Sequence, residues 1–137
     1  MKKMTLIIIL ITITLSLLAP TSPVLYIAED TPIKPFKPLI YAIGSVECSF
    51  DTLAYNAREQ ATGYFQIRPI RVNDYNKRTG SNYTLDDMYN YDKAETVFLY
   101  YASNIGPYNF ERIAKNWNGS GKMTIDYWKR VNAMLCQ

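Results

Sequence analysis

Apolar residues recur at helical spacing over most of this chain, and each such stretch has a readable start and stop. The first begins at Pro38, which suits an opening helical turn because its missing N–H would have no partner there. Ile40, Ile43 and Glu47 then recur at i, i+3 and i+7, with Leu39, Val46 and Phe50 widening the stripe, so Glu47 falls on or beside the buried face. A second helix is predicted from Pro69 through Ile70, Val72 and Tyr75 to just before Gly80, and Thr84 is placed to cap a short turn carrying Leu85 and Met88. Asp92 with Glu95 three residues on reads as a capping box for the clearest helix, whose Ala94, Val97, Phe98, Tyr101 and Ile105 form a stripe ending at Gly106. Asn109 caps the next, with Phe110, Ile113, Ala114 and Trp117 on one face and Gly119 at its end. Thr124 opens the last, with Ile125, Trp128, Val131 and Leu135 expected to point inward.

Between Asp51 and Tyr64 that periodicity lapses, and small and polar residues with Gly63 predict a loop or a short irregular hairpin. Strand patterning is strong nowhere else, so the fold class is mostly α. At the other end of the chain, Lys2 and Lys3 precede an apolar run from Thr5 to Ala19, the charged start and apolar middle of a secretory signal. Pro20 directly follows Ala19 and no clean small-x-small cleavage site is present, which keeps an uncleaved membrane anchor open. Pro23, Pro32, Pro35 and Pro38 favour an extended tether. The expected organisation is a signal peptide or membrane anchor over 1–22, a tether over 23–37 and one folded domain over 38–137. Export follows, to the periplasm or outside the cell, or with attachment to the inner membrane through residues 5–19.

Composition narrows the chemistry by exclusion. The net charge is only +3, with Lys2 and Lys3 supplying two of the excess charges, and no basic run or stripe appears, which argues against a nucleic-acid partner. The chain has no His, so His-based triads and His metal ligands are excluded, and two Cys alone cannot build a zinc site. No metal or cofactor is expected, and any hydrolytic chemistry falls to carboxylates. A glutamate on an apolar helix face is costly as an anion and tends to keep its proton near neutral pH, which is what a general acid requires. The plain alternative is a boundary Glu47 paired with Arg68 or Arg71. Twelve Tyr, five Phe and two Trp supply core volume first and platforms for sugar faces second. Cys48 and Cys136 either form a disulfide after export or stay as two buried thiols, and a thiol beside Glu47 would make activity sensitive to redox state.

Read in order, AIGSVECSFDTLAYN, GYFQIRP, IAKNWNGSG and YWKRV resemble the motifs of the lysozyme-like lytic transglycosylase (soluble lytic transglycosylase) superfamily, from about Ile40 to Val131. That family shows a Glu-Ser pair at a helix end, a Gly-Leu-Met-Gln-Ile segment, an Ala-Tyr-Asn-Ala-Gly segment and a late Tyr. The resemblance implies a lysozyme-like helical domain that cleaves peptidoglycan glycan strands between N-acetylmuramic acid and N-acetylglucosamine. Glu47 matches the catalytic acid, Gly63, Tyr64 and Gln66 the second motif, Trp117 and Asn118 the Tyr-Asn pair, and Tyr127 the late Tyr whose hydroxyl lies close to that acid. Gln66 and Asn118 would hydrogen-bond the glycan and Trp117 would stack on it. Cys48 in place of Ser, and Gly119 with Ser120 in place of Ala-Gly, depart from the pattern. The family works with one Glu and closes a 1,6-anhydro ring; a hydrolytic muramidase would need a second carboxylate, for which Glu59 and Asp51 are the candidates. A non-catalytic peptidoglycan-binding module is the remaining alternative. The partner expected is the glycan strand, bound by a monomer.

Overall fold

A computed structural model describes residues 34–136; the apolar leader and residues 23–33 of the expected tether lie outside the described residues. Five α-helices and a two-stranded hairpin make up the described part, a mostly α architecture. Helix α1, Lys37–Cys48, has Pro38 in its first turn and buries Leu39, Ile40, Ala42 and Ile43. It ends where Ser49 and Phe50 both turn left-handed, at φ 52° and 69°, and the Phe50 N–H closes on Gly44 O at 3.1 Å.

The stretch that lacked helical periodicity is a hairpin. Strand β1, Tyr55–Asn56, pairs antiparallel with β2, Ala61–Thr62, with Tyr55 opposite Thr62. The chain then doubles back once more, so that Thr62 and Ile67 exchange backbone hydrogen bonds at 3.0 and 2.9 Å around the Gly63–Gln66 turn. Gly63 has φ 74°, and a Cβ there would lie 2.1 Å from Met88 O, so the turn admits no side chain at that position.

Helix α2, Pro69–Thr79, starts on its proline and stops at Gly80, left-handed at φ 75°. A short 3₁₀ turn, Asp86–Tyr89, follows. Here Thr84 and Asp87 cap one another, Thr84 N and Oγ1 donating to the carboxylate and Asp87 N to the hydroxyl. Helix α3, Tyr91–Ser103, is capped by Asn90, whose side chain accepts from Lys93 N at 3.1 Å. This corrects the capping box expected at Asp92 and Glu95: Asp92 lies in the first turn, and Glu95 instead accepts from Tyr91 Oη at 2.9 Å. Helix α4, Phe110–Asn118, is capped by Asn109 and buries Ile113, Ala114 and Trp117.

Helix α5, Met123–Leu135, packs on both α1 and α4 and so joins the beginning of the domain to its end. Its inward face is rotated from the one expected. Thr124, Tyr127 and Val131 are buried, whereas Ile125 is exposed and Trp128 and Leu135 are only partly covered. Phe65, Phe98 and Trp117 form the aromatic centre, Phe65 stacked on Phe98 at 4.9 Å and Trp117 edge-on to Phe98 at 5.0 Å. Each such buried ring contributes about 2 to 3 kcal/mol of transfer free energy. No helix among the described residues is long and apolar enough to cross a membrane.

Candidate active site

The last turn of α1 carries Glu47 to the edge of a polar cleft of about 240 Å³. The hairpin supplies one wall through Asn56, Glu59 and Ala61; Gln66, Arg68 and Arg71 lead from the Gly63–Gln66 turn into α2; Trp117, Asn118, Met123 and Arg130 close the other side. The first and last helices therefore meet at Glu47, which is why the packing of α5 on α1 matters for the site.

Tyr127 Oη donates to Glu47 Oε1 at 2.7 Å. The phenol is 1% exposed, and burial together with the neighbouring carboxylate holds its own proton well above the usual range. Burial likewise raises Glu47 to about 7. The Tyr127 hydrogen bond and the charges of Arg130 and Arg68 oppose that rise, while Glu59 adds to it. Desolvation wins because the bond from Tyr127 is a single one, whereas removing a carboxylate from water forfeits several. Near neutral pH Glu47 is thus divided between acid and anion, with one oxygen fixed by Tyr127.

Backbone strain gathers around this cleft. Ser49, Phe50, Gln60 and Gln66 are the non-glycine residues with positive φ among the described residues, and all lie between the end of α1 and the start of α2. Each costs on the order of 1 to 3 kcal/mol, a cost that persists where surrounding structure imposes the conformation. At Gln66, φ 47°, the side-chain amide helps impose it by donating to Gly63 O at 3.0 Å and Ala54 O at 3.4 Å. With both donors so directed, Gln66 Oε1 is the atom left to accept from a ligand.

The other residues singled out from the sequence separate into several groups. Asn118 lines the cleft, and its carbonyl accepts from Arg68 Nη2 at 3.5 Å. Trp117 also lines it, but as a fixed wall: the ring is 6% exposed, Nε1 donates to Phe65 O at 3.0 Å, and the Arg71 guanidinium lies 4.7 Å from the ring centre. Gly63 and Tyr64 do not line the cleft. Tyr64 packs behind it, donating from Oη to Ile40 O at 3.4 Å and lying so close to α1 that a Cβ on Gly44 would fall 2.0 Å from its ring. Gly63 and Tyr64 thus shape the turn that presents Gln66.

Of the two candidate second carboxylates, only Glu59 faces the cleft, where it lies 3.8 Å from Arg68 Nη1. Asp51 is engaged elsewhere, accepting from Leu53 N at 2.8 Å in a turn after α1. Arg68 and Arg71, the expected plain partners of Glu47, are bonded to other groups. Arg71 donates to the carbonyls of Asn116 and Trp117, both at 3.2 Å.

Cys48 and Cys136 are free thiols, which corrects the expectation of a disulfide. Cys48 Sγ instead points to Gly44 O at 3.4 Å and Tyr64 O at 3.3 Å, and Cys136 is exposed at the end of α5, which also overturns the expectation of two buried thiols. Burial raises the Cys48 thiol above its usual range, and a thiol that keeps its proton is a poor nucleophile toward oxidants. Among the described residues, no group of three or more His, Cys, Asp or Glu could hold a metal ion.

Four residues of the site were missed from the sequence: Asn56, Ala61, Met123 and Arg130. Arg130 had a signal, since it stands three residues after Tyr127 and so shares its helix face. The chain matches no known protein family, no curated protein and no solved structure.

Proposed function

We propose that this protein is a lysozyme-like enzyme that cleaves peptidoglycan glycan strands at the N-acetylmuramic acid to N-acetylglucosamine bond, with Glu47 as the general acid. The observation that carries this reading is the pair formed by Glu47 and Tyr127: a carboxyl raised to about 7, with one oxygen held at 2.7 Å, opening on a polar cleft. Breaking a glycosidic bond requires a proton on the departing oxygen as positive charge develops at the anomeric carbon. A group with acidity near the working pH both holds that proton and releases it. Gln66 Oε1 and the Asn118 side chain are suited to sugar hydroxyl and acetamido groups.

The non-hydrolytic route is preferred. Glu47 protonates the leaving oxygen while the substrate's acetamido oxygen supports the anomeric carbon. The resulting carboxylate then takes the proton of the muramic 6-hydroxyl, whose oxygen bonds to the anomeric carbon and closes a 1,6-anhydro ring. Glu47 regains its proton in that step and no water is consumed. The engagement of Glu59 by Arg68 supports this route over one that needs a second reacting carboxylate. A second reading, hydrolysis with Glu59 activating water, is favoured by the presence of Glu59 in the same cleft as Glu47. Mass analysis of muropeptides released from purified sacculi by the full-length, detergent-solubilised protein separates the two. Anhydro products support transglycosylation, reducing-end products support hydrolysis, and intact glycan after incubation with folded protein rejects both.

A further inference from the structure

The cleft holds more fixed positive charge than its own carboxylates balance. Three guanidinium groups line it, those of Arg68, Arg71 and Arg130. Arg71 is committed to the scaffold, bonded to two carbonyls and set against the rings of Tyr101 and Trp117 at 4.6 and 4.7 Å. Arg68 faces Glu59 at 3.8 Å and donates to Asn118 O at 3.5 Å, two long contacts that leave its fork donors for another oxygen. Arg130 makes no close ion pair among the described residues, although its charge reaches Glu47, and it rests its guanidinium 5.5 Å from the Tyr127 ring centre, on the same helix face as the phenol that holds Glu47. With Glu47 protonated, Glu59 is the one anion set against three cations in the cleft. An arginine steadied on an aromatic ring is oriented without being neutralised, so its donors stay available to an incoming anion.

We propose that Arg130, with Arg68 beside it, forms a subsite for a carboxylate on the muramic residue's 3-O-lactyl arm, and that this subsite makes the cleft selective for acidic glycans. The inference rests on the glycan-cleaving reading above and names the substrate feature the site selects. Two sources carry the required chemistry: the lactyl carboxylate itself, exposed where the peptide stem has been removed, and a carboxylate of an attached stem. A neutral strand of the same backbone has neither. Contact with such a carboxylate also holds the adjoining glycosidic oxygen near Glu47, so charge recognition and cleavage register are linked through one helix.

The test is calorimetric binding at pH 6 to the full-length chain carrying Glu47→Gln, which cannot transfer the proton. Three muramic-containing tetrasaccharides are compared: one with free lactyl carboxylates, one with the lactyl carboxyls as methyl esters, and one with peptide stems attached. At least one acidic ligand is expected to bind about tenfold more tightly than the ester, as a charged hydrogen bond at a part-exposed site allows. Tighter binding of the stem-free ligand assigns the lactyl carboxylate, and tighter binding of the stem-bearing ligand assigns the stem. Adding Arg130→Gln is expected to abolish the preference, and Arg130→Lys to retain part of it; thermal midpoints of both variants control for folding. Equal affinity for all three ligands, or a preference that survives Arg130→Gln in folded protein, overturns the subsite and leaves the glycan reading standing. Binding of none of them overturns both.

Discussion

Tyr127 and Glu47 stand 80 residues apart in sequence, and the phenol of the first donates to the carboxyl of the second at 2.7 Å. One lies on the last helix and the other at the end of the first, so the bond forms only when the described chain has closed on itself. It also has a fixed sign. A donor to the carboxylate favours the anion, so Tyr127 works against the burial that raises Glu47.

Removing that donor with Tyr127→Phe is therefore expected to raise Glu47 further. The alkaline limb of the cleavage rate, where Glu47 loses its proton, moves to higher pH. The maximal rate falls about tenfold because the carboxyl is no longer held in place. A pH–rate profile on sacculi checks both effects, and an unmoved limb would show that Tyr127 does not govern Glu47.

Glu47 also makes stability depend on pH. Its acidity is raised on folding, from 4.5 to about 7, so the folded chain binds more protons than the unfolded one between those values. Stability from this group is present in full below about 4.5 and is lost as pH rises through 7, a difference of about 3 kcal/mol. Glu47→Gln is expected to stabilise the protein at pH 8 by up to about that amount and to leave it little changed at pH 4. Urea unfolding of the pair at both pH values measures it.

Gly44 offers a test by reversal of sign. In a helix interior, Gly→Ala ordinarily stabilises by about 1 kcal/mol. Here the added Cβ would lie 2.0 Å from the Tyr64 ring, which is wedged edge-on against Phe65 and Tyr91 with centroids at 4.8 and 5.0 Å. Gly44→Ala is expected to destabilise by roughly 2 kcal/mol instead, read as a lowered thermal midpoint.

Cys48 invites the opposite expectation to the one its place beside Glu47 suggests. Its single thiol proton is shared between two carbonyls and is retained, so activity is expected to be unchanged by reductant. Cys48→Ser, whose hydroxyl can make the same donations, is expected to keep at least half of the activity; a reversible change in the wild-type rate on adding dithiothreitol would contradict this.

Much of the helical frame was legible because its punctuation is local. Pro69 and Gly80 bound their helix by fixing a φ angle and by adopting a left-handed one, and Asn109 caps its helix through a bond three residues long. The capping box failed at Asp92 because Asn90 lies closer to the turn it must cap, while the reciprocal cap formed one turn earlier between Thr84 and Asp87. The inner face of the last helix misled because hydrophobicity alone favours Ile125 over Tyr127. A buried phenol is tolerated when its hydroxyl has a partner, and the partner, Glu47, is supplied by a distant helix. For the same reason Glu47 was readable as a candidate from its place on an apolar face, whereas the engagement of Trp117 by Arg71 and of Arg68 by Glu59 depends on contacts no spacing encodes.

The central claim is that Glu47 is the proton donor in glycan cleavage, and the most direct measurement is the rate of muropeptide release from purified sacculi by full-length wild-type and Glu47→Gln protein across pH 4 to 9. The wild type is expected to release products with an alkaline limb near pH 7, and the variant, folded as judged by circular dichroism, to release at least a thousandfold less at every pH, about 4 kcal/mol of lost transition-state stabilisation. A variant that releases products at a rate comparable with the wild type would contradict the claim.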